Sequence, residues 1–293
     1  MRHLSAFKAF KAFFLHLHLY FDETKMDLEN LCAQVKNLAI DTGYFILNEQ
    51  KRFSSEDIQS KGVHNYVTYV DTTSEEKLVT GLKILLPEAG FIAEEGTVNL
   101  KGDRFNWIID PLDGTTNFIH GLPPYAVSIA LSDKDEIILG VVYEITSCEC
   151  FFAWKDSPAF LNGRKIMVNT ADKVSKSLIA TGFPYTNFTK IDPFMYSMMY
   201  FMKHSHGVRR LGSAATDMAY VACGRFEAFY EYGLNPWDVA AAALIIRQAG
   251  GSVCDFNGGD NWLFGKEIIA TNQAIHEEFR EIIRNIMVEQ KKL

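Results

Sequence analysis

Two aspartates stand three residues apart at the end of an apolar run in the segment WIIDPLDGTTNF. The run Trp107–Ile109 predicts a buried strand, whereas Pro111 cannot continue a ladder and Gly114 suits a tight turn. Asp110 and Asp113 are therefore expected where the strand breaks into a loop. Two carboxylates about 4 Å apart repel by roughly 4 kcal/mol at an effective dielectric of 20, which a bound cation relieves. Helix capping is the alternative, but one aspartate would be enough for a cap. The pair is a candidate metal site.

Three further acids occupy comparable positions. Asp71 and Glu94 each follow a short apolar run, and Asp238 lies at the start of an alanine-rich helical pattern. Carboxylate oxygens without His or Cys favour Mg²⁺, Mn²⁺ or Ca²⁺ over zinc. A calcium-binding loop would need its ligands within about a dozen contiguous residues, whereas these are scattered. Ligands from several elements are typical of an open site with room for substrate and water.

The segment Gly114-Thr115-Thr116 follows the acidic pair directly and is a candidate phosphate-binding segment. If a helix begins there, its free N–H groups can hold an anion. Metals beside a phosphate site point to phosphoryl chemistry. The chain has no Gly-x-Ser-x-Gly, Walker A or Gly-x-Gly-x-x-Gly motif, and His204 and His206 are interpreted as a surface pair.

The composition bounds the class of protein. The chain has 293 residues, 48% of them apolar, which is enough for one large domain or two intimate smaller ones. Its formal net charge is −7 with both signs interspersed, which argues against nucleic acid as the main partner. The cysteine count is odd and the one close pair lacks zinc-knuckle spacing, so we expect reduced thiols in a cytoplasmic protein.

Residues 1–25 differ from the rest because basic residues are followed by an apolar segment. His16 and His18 interrupt that segment, no Ala-x-Ala-like cleavage site follows it, and it is too short to span a bilayer. An amphipathic pattern begins at Met26. We therefore expect residues 1–25 to be a disordered extension or a start codon assigned too early, with a peripheral membrane anchor as the minority alternative. Residues 26–293 are expected to form one catalytic domain without an integral membrane segment.

Hydrophobic periodicity predicts mixed α and β structure with both parallel and antiparallel pairing. Helices are expected at residues 27–49, 73–86, 192–203, 213–223 and 239–249. Strands are expected at 67–70, 91–93, 107–109, 177–181 and 226–230, with an antiparallel meander over 125–154. Residues 54–65 are expected to be a loop, and Asp71 and Glu231 are each expected directly after a strand.

Several motifs together resemble the inositol monophosphatase family. The segment Asp110–Phe118 is preceded by Ala93-Glu94-Glu95-Gly96 and followed by Pro236–Ala241. The likeness runs in order from about Asp27 to the C-terminus and includes Val67–Asp71, Asn162-Gly163, Gly182-Phe183-Pro184 and Arg209–Ala215. Independent motifs at consistent spacing make the resemblance specific, as Asp-Gly-Thr alone would not.

The resemblance implies an α/β/α/β/α sandwich, usually a homodimer, that hydrolyses phosphate monoesters of small polyols or sugars. It implies Mg²⁺ as the cofactor, with Mn²⁺ as an alternative, and frequent inhibition by Li⁺. The Thr-Thr-Asn-Phe tail favours an inositol-1-monophosphatase that releases myo-inositol and phosphate. Fructose-1,6-bisphosphatase and 3′(2′),5′-bisphosphate nucleotidase activities are alternatives. A metal-binding regulatory module without catalysis is an alternative of a different class.

The resemblance also assigns roles to residues at matching positions. The first metal would be held by Glu94, Asp110 and the carbonyl of Leu112, and the second by Asp110, Asp113 and Asp238. Glu94 and Thr115 would orient the attacking water, with Asp71 supporting that network. The N–H groups of Gly114 and Thr115 would bind phosphate. The remaining substrate contacts would come from Asp113, Gly212, Ala214, Glu231 and Asp238.

Overall fold

The computed structural model describes residues 26–54, 58–62, 65–98 and 100–291. The expectation for residues 1–25 lies outside the described residues. The expectation that residues 26–293 form one catalytic domain is taken up below as part of the proposed function.

Helices occupy the positions expected from periodicity, apart from shifts at their ends. They are α1 Leu28–Gln50, α2 Tyr69–Leu85, α3 Thr115–Ile119, α4 Ile191–His204, α5 Ala214–Ala222, α6 Pro236–Gln248 and α7 His276–Ile283. In the described part of the chain, no helix has both the length and the apolar character needed to cross a bilayer.

Strands β1 to β9 lie in the first half of the fold. They are β1 Ile58–Gly62, β2 Asn65–Thr68, β3 Gly90–Ala93, β4 Phe105–Asp113, β5 Ala126–Asp133, β6 Glu136–Glu144, β7 Glu149–Trp154, β8 Ala159–Leu161 and β9 Arg164–Ile166. β1 and β2 form an antiparallel hairpin, and β3 to β9 form one sheet in chain order. Only β3 and β4 pair in parallel there, so the predicted meander over residues 125–154 is confirmed.

A second sheet contains β10 Leu178–Thr181, β11 Gly207–Arg209, β12 Ala228–Tyr232, β13 Gly251–Cys254 and β14 Glu267–Asn272. Its strand order is β11-β10-β12-β14-β13. β10 pairs in parallel with β11 and β12, whereas β14 is antiparallel to β12 and β13. Both kinds of pairing are therefore present, as predicted.

Helices cover both faces of each sheet, and alternation along the strands decides which core a side chain joins. In β4, Trp107 and Ile109 pack in the core with α1 and α2, whereas Ile108 packs with α5 and α6. In β12, Phe229 joins the α5 and α6 core, whereas Tyr230 joins the core with α4 and α7. The layers are thus helix, sheet, helix, sheet, helix, which confirms the predicted α/β/α/β/α sandwich.

Small residues let the central layer pack closely. The run Ala240–Ala243 in α6 is fully buried between the two sheets. A Cβ at Gly140 of β6 would lie 2.5 Å from the carbonyl oxygen of Ala241, so only glycine permits this approach. Close contact of this backbone with β6 fixes the depth of α6, whose first turn carries Asp238.

Four element boundaries were predicted incorrectly. Residues 54–65 are not wholly a loop, because β1 and the start of β2 form a hairpin there. The predicted strand at 67–70 ends at Thr68, and Asp71 lies inside α2 because Thr68 caps that helix. β4 continues through Pro111 to Asp113, and α6 begins at Pro236 rather than at residue 239. Glu231 lies within β12 and not after it.

Candidate metal and phosphate-binding site

The predicted site residues meet in one cleft with a cavity volume of about 210 Å³. The cleft is lined by every predicted site residue except Asp71, namely Glu94, Asp110, Leu112, Asp113, Gly114, Thr115, Gly212, Ala214, Glu231 and Asp238. Asp71 is buried and reaches the site through the hydroxyl of Thr115. Residues separated by more than a hundred positions are therefore brought together as the motifs predicted.

A β-bulge in β4 places Asp110 and Asp113 on the same side. Residues three apart in a regular strand point to opposite faces. Here Asp110 is opposite Ser128 and Asp113 is opposite Ala126, so β4 has one extra residue between them. Pro111 is tolerated at this irregularity because the ladder is interrupted there. The strand does not break before the acids, as was predicted; it bulges between them.

The carboxylate oxygens of Asp110, Asp113 and Asp238 lie within 4.8 Å of one another. Glu94 adjoins this group, because its carboxylate is in hydrogen-bonding contact with Asp110. Withdrawal from water, followed by the charge of Asp238, raises the pKa of Glu94. Burial, followed by the charge of Glu94, raises the pKa of Asp110. Shifts of this kind show that the acids repel one another.

Asp113 is tied to the start of α5. Its Oδ2 accepts hydrogen bonds from the hydroxyl of Ser213 at 2.6 Å and from the N–H of Ala215 at 2.7 Å. Burial raises the pKa of Asp113 to about 6, although both of these hydrogen bonds act in the opposite direction. The hydrogen bonds occupy one carboxylate oxygen and fix the orientation of the side chain.

Asp238 is a helix cap as well as a member of the acidic cluster. It is the third residue of α6, and its Oδ2 accepts a hydrogen bond from the N–H of Asn235 at 2.7 Å. Burial, followed by the charge of Asp113, raises the pKa of Asp238 to about 7. Capping and clustering were weighed above as alternative interpretations of such acids, and at Asp238 both hold.

Asp71 joins two parts of the site by a similar arrangement. Its Oδ2 accepts hydrogen bonds from the N–H of Thr68 at 2.8 Å and from its hydroxyl at 2.6 Å, which closes a capping box on α2. Its Oδ1 accepts the hydroxyl of Thr115 at 3.0 Å. That hydroxyl also lies 3.1 Å from the carbonyl oxygen of Leu112. Burial raises the pKa of Asp71 despite these bonds.

The predicted phosphate-binding segment is a tight turn into a short helix. Gly114 has φ of 95°, a left-handed conformation that suits glycine, and α3 begins at Thr115. A Cβ at Gly114 would lie 3.1 Å from the carbonyl oxygen of Pro124 and 3.2 Å from that of Gly212. Asn117 fixes the same neighbourhood, since its Nδ2 donates to the carbonyls of Pro124 and Leu211, each at 2.8 Å.

Glu231 faces the central helix layer because it has the same strand parity as Phe229. It is 7% exposed, and a Cβ at Gly182 would overlap its carboxylate. Burial, followed by the charges of Asp217 and Asp238, raises the pKa of Glu231 well above the usual range. The structure thus places Glu231 in the cleft, on a wall that includes Gly182.

Two charged residues in the cleft were missed by the sequence interpretation. Asp217 is buried within α5, and burial followed by the charge of Asp113 raises its pKa well above the usual range. Arg210 packs over the rings of Phe183 and Tyr185 at 5.3 and 5.5 Å and donates to the Tyr185 hydroxyl. An acid in an otherwise apolar helix was a readable signal for Asp217, but nothing in the sequence indicated how Arg210 packs.

The donor set fits a hard divalent cation. Its side chains supply only carboxylate oxygens, several from different elements, and their mutual repulsion is what a cation would relieve. Fold and acidic site together are those of a metal-dependent phosphatase. The sequence profile of the inositol monophosphatase family matches residues 27–288, and the chain belongs to this family.

Individual relatives agree with this placement. An inositol-1-monophosphatase from Mesorhizobium japonicum is 39% identical over 228 residues, 78% of this chain and 86% of that protein. A Nus factor SuhB from Haemophilus influenzae is 40% identical over 239 residues, 81% of this chain and 89% of that protein. The structure of an inositol monophosphatase from Anabaena matches with a TM-score of 0.79 and 29% identity, covering 91% of this chain and 100% of that one.

Proposed function

We propose that the protein is a Mg²⁺-dependent inositol-1-monophosphatase that releases myo-inositol and phosphate. The observation that carries this proposal is the approach of the oxygens of Asp110, Asp113 and Asp238 to within 4.8 Å, in a cleft also lined by Glu94 and Thr115. The Thr-Thr-Asn-Phe tail and the inositol-1-monophosphatase relative support the choice of substrate.

Two Mg²⁺ ions would be held by the acids that gather at the bulge of β4. We assign Glu94, Asp110 and the carbonyl of Leu112 to the first ion, and Asp110, Asp113 and Asp238 to the second. Bound there, the ions would neutralise phosphate oxygens and lower the pKa of an attacking water, which is the help that slow monoester hydrolysis needs.

Thr115 and Glu94 would orient the attacking water. The single proton of the Thr115 hydroxyl is committed either to Asp71 or to the carbonyl of Leu112, at 3.0 and 3.1 Å. Its oxygen lone pairs are then acceptors for a proton of the water. Asp71 acts through Thr115, because its Oδ1 fixes the direction in which that hydroxyl donates.

The substrate would lie between the turn at Gly114 and the wall formed by β12 and the start of α5. N–H groups of Gly114 and Thr115 would bind phosphate oxygens. Glu231 would accept hydrogen bonds from polyol hydroxyls, next to Gly212 and Ala214. Asp113 and Asp238 would border the phosphate and the ester oxygen.

A phosphate-release assay with Mg²⁺ tests this function. The panel contains inositol 1-phosphate, fructose 1,6-bisphosphate, a 3′-phosphorylated nucleotide bisphosphate and histidinol phosphate. We expect the highest kcat/KM on inositol 1-phosphate. A large preference for either bisphosphate would contradict the substrate assignment, and absence of turnover on the whole panel would favour the regulatory-module alternative.

Several finer properties form part of the same proposal. Mg²⁺ as the working metal with Mn²⁺ as a substitute, inhibition by Li⁺, a homodimer, a cytoplasmic location and a single catalytic domain over residues 26–293 are all implied by the family resemblance. The match to the family over residues 27–288 supports the domain assignment. Light scattering of the purified protein and Li⁺ titration of its activity test the second and third of these properties.

A further inference from the structure

Glu75 is a fully buried acid in α2 that the proposed mechanism does not use. It lies one helical turn after Asp71, on the same helix face. Its Oε2 accepts the N–H of Glu95 at 2.7 Å, and its Oε1 accepts the N–H and the hydroxyl of Thr97 at 2.8 and 2.7 Å. All three hydrogen bonds recorded for this carboxylate in the described part of the chain therefore come from one short segment.

That segment directly follows β3 and begins with Glu94. The N–H of Glu94 donates to the carbonyl of Ile109 in β4 at 3.3 Å, which anchors the residue on one side. The peptide that joins Glu94 to Glu95 is anchored on the other side, since its N–H is the one held by Glu75. Glu94 thus lies between two fixed points, one on the sheet and one on α2.

We propose that Glu75 is a positioning residue that holds the backbone of Glu94 so that its carboxylate reaches the metal site. This inference rests on the proposed function, because it takes Glu94 to be a metal ligand. Hydrogen bonds to an ionised carboxylate are stronger than those between neutral groups, so three of them fix the segment firmly. Residues that orient a ligand matter to metal affinity nearly as much as the ligands themselves.

One face of α2 would then serve both partners of the attacking water. Asp71 fixes Thr115 through its Oδ1, and Glu75, four residues later, fixes the segment that carries Glu94. A rigid helix sets the distance between the two carboxylates, so it also sets the relation between the groups they hold. Neither Glu75 nor Thr97 lines the cleft itself.

The test compares Glu75→Gln with Glu76→Gln. Glutamine keeps the shape of Glu75 but has one acceptor oxygen, and its NH₂ group would face donors that the second oxygen now satisfies. Glu76 is the next residue of the same helix and is exposed, so its substitution removes the same charge without touching the segment. Thr97→Val is a third variant, which removes a single hydroxyl at an exposed position and leaves the buried acid intact.

Mg²⁺ binding is measured by titration calorimetry without substrate, and amide hydrogen exchange is measured at Glu95 and Thr97. In Glu75→Gln we expect the Kd for Mg²⁺ to rise about tenfold, faster exchange at both amides, and a fall in kcat with little change in KM. Thr97→Val should change Mg²⁺ binding in the same direction by a smaller factor. Glu76→Gln should match the wild type in each measurement.

Wild-type Mg²⁺ affinity in both Glu75→Gln and Thr97→Val would overturn the proposal, as would equal effects of Glu75→Gln and Glu76→Gln. If Glu75→Gln fails to fold, Thr97→Val decides the matter, because unchanged Mg²⁺ binding and exchange there would also overturn it. The binding and exchange measurements need no substrate. A protein that binds Mg²⁺ through this segment but hydrolyses no inositol phosphate would contradict the proposed function and leave this inference standing.

Discussion

Thr115 donates its hydroxyl to Asp71 across 3.0 Å, which joins the start of α3 to the first turn of α2. Asp71 cannot move freely, because Thr68 donates both its N–H and its hydroxyl to the other carboxylate oxygen. The contact therefore transmits the position of α2 to the hydroxyl that we propose to orient the attacking water.

Thr115→Val removes that hydroxyl while keeping the shape of the side chain. We expect kcat and kcat/KM for inositol 1-phosphate to fall together by about 100-fold, because the lost interaction is made in the transition state. Thr115→Ser retains the hydroxyl and is the matched control, which should keep most of the activity. Steady-state phosphate release measures both. A valine variant with normal kcat would mean that Thr115 only stabilises the turn.

Glu231→Gln is expected to raise KM for inositol 1-phosphate several-fold and to change turnover of an aryl phosphate little. The reason is that Glu231 lies on the wall formed with Gly182, where a polyol would contact it and an aryl group would not. Gly182→Ala should act in the same direction without changing any charge, since its Cβ would overlap the Glu231 carboxylate. Equal loss of kcat on both substrates would instead place Glu231 in the catalytic machinery.

Deletion of residues 2–25 is expected to leave kcat, KM and the melting temperature close to those of the full chain. The first helix is completed within the described residues, because Asp27 caps α1 by accepting the N–H of Asn30 at 3.0 Å. Activity assays and thermal unfolding of the truncated protein check this. Release of the protein from host membranes by this truncation alone would support the peripheral-anchor alternative.

Motif spacing predicted the members of the site but not how the backbone presents them. Asp110 and Asp113 were recognised from their spacing, yet an odd separation in a strand predicts opposite faces, and only the register shown by Ser128 and Ala126 reveals the bulge. Asp71 was placed after a strand because Val67–Val70 is apolar. The capping hydrogen bonds from Thr68, which start α2 earlier, override that local preference.

The supporting residues were less accessible to sequence reasoning. Glu75 has no motif of its own, and its importance depends on where the segment after β3 folds back, which is a tertiary contact. Gly182 was quoted for its resemblance alone, whereas the structure shows that its missing side chain makes room for Glu231. Periodicity assigns helices and faces, but it carries no information on contacts between elements distant in the chain.

Asp238 distinguishes a metal site from a set of helix caps. Its pKa is raised to about 7 by burial and by Asp113, so the folded apo protein disfavours its ionised form. For an acid with a raised folded-state pKa, stability falls as pH rises from the usual aspartate range to about 7, and the full cost is present above that pH. Asp238→Asn removes this cost and keeps an oxygen for the N–H of Asn235.

The most direct measurement is thermal unfolding of wild type and Asp238→Asn at pH 8, in EDTA and in saturating Mg²⁺, together with phosphate release. Asp27→Asn is the matched control, because it makes the same change at a cap of α1 outside the cleft. We predict that apo Asp238→Asn is as stable as the wild type or more stable and gains less from Mg²⁺. Its turnover should fall by more than about 100-fold, because loss of a ligand costs more than loss of a residue that supports one. An apo variant much less stable than the wild type, with normal Mg²⁺-dependent activity, would contradict the metal site.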